Sequence, residues 1–254
     1  MTEHVVAETS NNITTLTLNR TEKKNALTQA MYAALTEALN RAEADDNVHA
    51  VRIVGAGDDF TAGNDLNDFR EAARYETSQG APPIGRFLHA VVEFRKPLVA
   101  QVHGNAIGIG ATMLLHCDLV VAASDARFAM PFVALGVVPE FASSRLLPEL
   151  VGRQRAARML MLGEPFDARA AERFGLVTEV VEPDALEETT LGLCARLAAM
   201  PPGALQATRE LLRPEEERRH LHQIIDREWG LFRERLATVE HREAVEAFFT
   251  ARKS

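Results

Sequence analysis

The chain has 254 residues, 46% of them apolar and 25% charged, enough to bury a full core as one large α/β unit or a domain with an appendage. Its formal net charge of −8 and pI near 5.5 argue against a nucleic-acid partner, which needs a basic face, and no apolar stretch is long enough to span a bilayer. Cys117 and Cys194 sit in apolar surroundings without redox or metal spacing, so neither a disulfide framework nor a metal site is expected. With an N-terminus that lacks a basic region followed by an apolar run, the expectation is a soluble protein of the cytoplasm.

In chain order, residues 4–9 and 13–19 alternate around Asn11–Asn12, the pattern of a β-hairpin, and ITTLTLN is rich in β-branched residues. NRTEKKNALT leads into a helix from about Thr28 to Asp45, with Thr28 as its N-cap. VHAVRIVGAG reads as a buried strand ending in a glycine turn, followed by FTAGND at 60–65. Residues 66–80 mix acidic and basic side chains and read as either a helix or a lid. IGRFLHAVVEF has helical spacing and stops before Pro97; PLVAQVHG is a strand, GIGATMLLHC a core helix and DLVVAAS the next strand. This rhythm implies right-handed crossovers without a break. Residues 1–195 are therefore expected to form the core and 196–254 a helical region. In that region Leu221, Ile225, Trp229, Phe232 and Leu236 make an apolar stripe, which must pack on either the body or a neighbouring subunit.

HGNAIGIGA (103–111) carries Gly104, Gly108 and Gly110 at the mouth of a helix. Glycines admit close backbone approach there, and the unpaired N–H groups of a helix start favour an anion or a developing oxyanion. Close packing of strand on helix explains the same glycines equally well. The spacing G-x-x-x-G-x-G does not match a dinucleotide fingerprint. In FTAGND, Gly63 lies between Ala62 and Asn64, Asp65 is placed to cap the following helix, and the Ala62 N–H is a donor for a ligand. LGVVPEFASSRL (135–146) holds Glu140, which reads either as a catalytic carboxylate or as a first-turn acid facing the helix dipole. His103, His116, Asp118, Asp125, Ser143 and Ser144 lack partners at metal or triad spacing and read as structural or positioning residues.

These segments, in this order, resemble the crotonase (enoyl-CoA hydratase/isomerase) superfamily over nearly the whole chain. The resemblance runs from NRTEKKNAL through FTAGND and VHGNAIGIGATMLLHCD to LGEPFDARAAERFGLVTEVV and the helical tail; each motif is loose, the set specific. It implies an α/β spiral of ββα units with a C-terminal helical trimerisation region, a trimer or dimer of trimers, and an acyl-CoA thioester as substrate with no separate cofactor. It also implies an oxyanion hole from the backbone N–H groups of Ala62 and Ile109, and a CoA nucleotide lined by Lys24 and Ala26. Ala62, Gly63, Asn64, Asp65 and Leu66 would meet the adenine and pantetheine, and Gly108 and Phe132 the substrate. Lys24 reads equally as a plain surface lysine.

Family hydratases carry one glutamate in the helix after the glycine loop and another before the next Leu–Gly. Thr112 and Phe132 stand there in this chain, and neither can act as a base. Glu140 resembles instead the glutamate of the Δ3,Δ2-enoyl-CoA isomerases. The resemblance thus implies an isomerase of fatty acid metabolism that converts 3-enoyl-CoA to trans-2-enoyl-CoA, with Glu140 as its single acid/base. A hydratase, a thioester hydrolase and a non-catalytic acyl-CoA binding protein are the alternatives.

Overall fold

The computed structural model describes residues 3–66 and 81–251. β1 (Val5–Ser10) and β2 (Ile13–Leu18) pair as the expected hairpin. Asn11 and Asn12, at φ 52° and 64°, form its two-residue turn, the backbone that matches strand twist. The further strands are β3 (Ala50–Gly55), β4 (Leu98–Val102), β5 (Asn105–Ile107), β6 (Leu119–Ala123), β7 (Arg127–Ala129), β8 (Phe166–Asp167) and β9 (Glu179–Val181).

Among the described residues the strands make two sheets, one ordered β1-β2-β3-β4-β6-β9 and a smaller one ordered β5-β7-β8. From β2 onward the large sheet is parallel, in the register Ile53↔Leu16, Ile53↔Ala100 and Val121↔Gln101. From β3 to β7 the chain passes back and forth between the sheets. β3 is followed by Thr61, which bridges to Ala106 of the small sheet; β4 is followed by β5, and β6 by β7. A helix follows each pair: Pro83–Glu93, Ile109–Thr112 and Ser143–Val151. The result is the expected α/β spiral of ββα units, and it brings the chain after β3 and the chain after β5 side by side.

β3 and β4 are buried along their whole length, and each is apolar apart from one polar residue, Arg52 and Gln101, whose side chains hydrogen-bond to each other at 2.9 Å. The helix Gln29–Ala44 starts where expected, with Thr28 Oγ1 accepting the Met31 N–H at 3.3 Å. GIGATMLLHC is not one helix: it is α-helical over Ile109–Thr112 and 3₁₀ over Met113–His116. The chain must enter β6 at Leu119, which leaves room for two tight turns only.

Beyond β9 the described elements are all helical, ending in Pro202–Leu212, Glu215–Leu236 and Val239–Ala251. The stripe packs on the body: Leu221, Ile225, Phe232 and Leu236 are buried in the main core, and Trp229 packs against it. No helix among the described residues is long and apolar enough to cross a membrane.

Candidate active site

The segment NRTEKKNAL folds into a clamp. Lys24 and Asn25 both take left-handed backbone, φ 52° and 56°. The Asn25 side chain donates to Ala56 O at 2.8 Å and Asp59 O at 2.7 Å, and accepts from the Arg20 N–H at 2.9 Å. This clamp grips the FTAGND turn: Thr61 Oγ1 donates to Asn25 O at 2.7 Å and accepts the Gly63 N–H at 3.1 Å, and the Tyr32 hydroxyl donates to Asn64 Oδ1.

The same clamp engages the N–H of Ala62, which donates to Lys24 O at 2.8 Å. That corrects the expectation that Ala62 supplies an oxyanion donor, since a bonded N–H has no hydrogen left to offer. Gly63 (φ 89°) rests on the glycine loop so closely that a Cβ would lie 2.7 Å from Ile107 O, and Gly108 follows at φ 57°. Among the described residues, the N–H groups of Asn64 and Ile109, one from each turn, have no acceptor.

A cavity of about 450 Å³ opens at these turns, and its wall includes Lys24, Ala26, Ala62, Gly63, Asn64, Asp65, Leu66, Gly108 and Phe132. Arg20 and Lys23 add cationic lining, and Phe232, Leu236, His241 and Phe248 contribute from the tail. The Lys24 ammonium lies 3.3 Å from the Asp59 carboxylate on a side chain that is 55% exposed. Asp65 pairs with Arg20 at 2.7 Å, and the helix expected to be capped by Asp65 lies outside the described residues, as does most of 66–80. Ile109 and Glu140 are buried and not on the cavity wall, although Leu135 and Val137, on the approach to Glu140, are.

Glu140 is only 4% exposed. Its Oε1 accepts a hydrogen bond from Thr112 Oγ1 at 2.6 Å, while Oε2 and the nearby Ser143 Oγ are buried with no hydrogen-bond partner among the described residues. Burial pushes the Glu140 carboxyl up to about 8; the Thr112 hydrogen bond opposes the shift and the Glu228 carboxylate adds to it. A carboxyl poised near neutrality is suited to take a proton and return it.

The turn carrying Glu140 is held from two sides. Phe141 and Ala142 are left-handed at φ 61° and 55°, a conformation costing a non-glycine residue about 1–2 kcal/mol. Phe141 O accepts from His116 Nε2 at 2.8 Å, with the two rings stacked at 4.0 Å. Burial takes the His116 imidazole down to about 3, so it is neutral. Glu228, from the tail, accepts the N–H groups of Ala142 at 2.7 Å and Ser144 at 3.0 Å. Among the described residues no cluster of three or more His, Cys, Asp or Glu side chains is arranged to hold a metal ion.

A family model described as "Enoyl-CoA hydratase/isomerase" matches residues 8–254. "Enoyl-CoA delta isomerase 2" of Rattus norvegicus is 36% identical over 249 residues, covering 97% of this chain, which spans 63% of that protein's length. "2,3-dehydroadipyl-CoA hydratase" of Escherichia coli is 35% identical over 237 residues, covering 93% of this chain and 92% of its own. The solved structure of an enoyl-CoA hydratase/isomerase from Pseudoalteromonas atlantica superposes with a TM-score of 0.91 at 42% identity, covering 98% of this chain and 97% of that one.

Proposed function

The chain belongs to the enoyl-CoA hydratase/isomerase family, and we propose that within it the chain is an isomerase, moving the double bond of a 3-enoyl-CoA to the trans-2 position. The observation that carries this reading is that Glu140 accepts from Thr112 and Phe132 lines the cavity, so that neither of the two positions where hydration chemistry would need its acids carries one. Ionised Glu140 takes a proton from C2 of the substrate, the C2–C3–C4 electrons shift toward the thioester as a dienolate, and the same carboxyl returns the proton at C4. The dienolate oxygen is held by the N–H groups of Asn64 and Ile109, each worth about 3 kcal/mol in comparable sites. Phe132 and Phe141 exclude water from the reacting carbons.

Arg20, Lys23 and Lys24 face the cavity and suit the phosphates of CoA. Lys24→Ala is expected to raise KM about two- to fivefold with kcat unchanged, the size of an exposed ion pair, in steady-state assays. The exposed Met161, Leu162, Leu211 and Leu212 suit the subunit contacts of a homotrimer or a dimer of trimers.

The base must be ionised to act. With the Glu140 carboxyl at about 8, kcat/KM is expected to rise with pH and level off above that value. Thr112→Val deletes the hydrogen bond that favours the carboxylate, so the acid limb is expected to move to still higher pH, as read from a pH–rate profile. The reaction itself is tested by incubating the protein with 3-enoyl-CoA and, separately, 2-enoyl-CoA while following ultraviolet absorbance of the conjugated thioester. Growth on the first substrate without loss on the second is expected. Loss on the second without growth on the first would overturn the reading in favour of hydration, for which the unpartnered Glu140 Oε2 and Ser143 Oγ would have to hold the water.

A further inference from the structure

We infer that Glu228, in the helix Glu215–Leu236, is a positioning residue for Glu140: it locks the turn from Glu140 to Ser144 and so aims the reacting carboxyl. The inference rests on the reading of Glu140 as the base. Glu228 is 6% exposed, and a buried carboxylate persists only where its charge is met by donors. Both of its oxygens are used, one by the Ala142 N–H and the other by the Ser144 N–H, at the N-terminal end of the helix Ser143–Val151. The position before that helix is Ala142, whose side chain has no cap to offer. Glu228 therefore does the work of an N-cap from 86 residues further along the chain.

Without this acceptor, two N–H groups would be left wanting beside a turn whose Phe141 and Ala142 are both left-handed. Relaxation of that turn swings Glu140, the residue before it, away from Thr112. The titratable groups around the turn are Glu140, Glu228 and His116. Burial raises Glu228 to about 7 despite its bonds to Ser144 and Ala142, His116 is neutral, and the Glu228 charge raises Glu140. The tail would thus contribute to the reaction by geometry as well as by packing.

The test is a pair of variants, Glu228→Gln and Glu228→Asp, each compared with the wild type and with Glu140→Gln for melting temperature, kcat, KM and the pH profile of kcat/KM. Glu228→Gln keeps the volume and one acceptor but not the charge. It is expected to lower kcat about 10- to 100-fold with KM changed less than about twofold, as for a misplaced catalytic group, and to move the acid limb to lower pH. Glu228→Asp keeps the charge but shortens the reach, so kcat is expected to fall with the acid limb retained. Wild-type kcat in either variant, or a lowered melting temperature with kcat intact, would overturn the inference; the Asp variant decides the matter if the Gln variant does not fold. If Glu140→Gln keeps its activity, the reading of the base fails. If Glu140→Gln is inactive and the Glu228 variants match wild type, only the role of Glu228 fails.

Discussion

Glu140→Gln is expected to lower kcat for 3-enoyl-CoA by about 10²- to 10⁴-fold, the range that a positioned acid/base contributes, while KM changes little because glutamine has nearly the same size and shape. The amide keeps an oxygen to accept the Thr112 bond, so the turn should hold its shape, but it cannot take up a proton. Of its described titratable neighbours, His116 is neutral with Nε2 engaged by Phe141 O, and both Glu228 oxygens are engaged by backbone N–H groups. The substitution also has a stability signature with a definite sign. The folded carboxyl titrates at about 8 against an ordinary 4.5. Over that window the unfolded chain ionises first, and the wild type loses stability as pH rises. Glutamine does not ionise, so the melting temperature of the variant relative to wild type should improve steadily across the window. Thermal melts across that span check it; a constant difference would mean that the carboxyl is not held neutral by burial.

Gly63→Ala is expected to lower kcat/KM by about 100-fold or more, comparable to losing one oxyanion donor. Two effects act together. The new Cβ would sit 2.7 Å from Ile107 O, and the backbone at φ 89° costs a side-chain-bearing residue about 1–2 kcal/mol. Relief of either moves Asn64 away from the glycine loop and separates its N–H from that of Ile109. The melting temperature should fall by a few degrees, in keeping with about 2–4 °C per kcal/mol for a chain of this size. Kinetics of the folded variant separate the effects: a lowered melting temperature with wild-type kcat/KM would show that the two turns do not form the oxyanion site.

The large elements were legible because each declares itself locally. Asn11–Asn12 between alternating segments marks the hairpin, Thr28 marks a helix start, and the mostly apolar segments VHAVRIVGAG and PLVAQVHG read as strands. The small sheet was not legible. β5 is three residues inside the glycine loop, and its partner β7 is three residues lying further on, after β6; such short strands have no periodicity to detect. The site was legible in membership more than in detail. Glycines mark where the turns approach one another, but they do not say which N–H is already bonded. The acceptor for Ala62 is Lys24 O, in a segment whose left-handed backbone only Asn25 hinted at. In the sequence Thr112 shows only the absence of an acid, whereas in the structure it bonds Glu140. Glu228 does leave a trace in the sequence: 221, 225, 228, 232 and 236 follow helical spacing, and a glutamate at the third of these core positions signals a buried partner.

Proton carriage from C2 to C4 by one shielded carboxyl is tested with 3-enoyl-CoA bearing two deuterons at C2, stopped within the first turnovers and analysed by mass spectrometry and NMR. The product is expected to keep one deuteron at C2 and to carry the other at C4. Product whose C4 hydrogen comes wholly from solvent, with Glu140→Gln turning over as fast as the wild type, would contradict it.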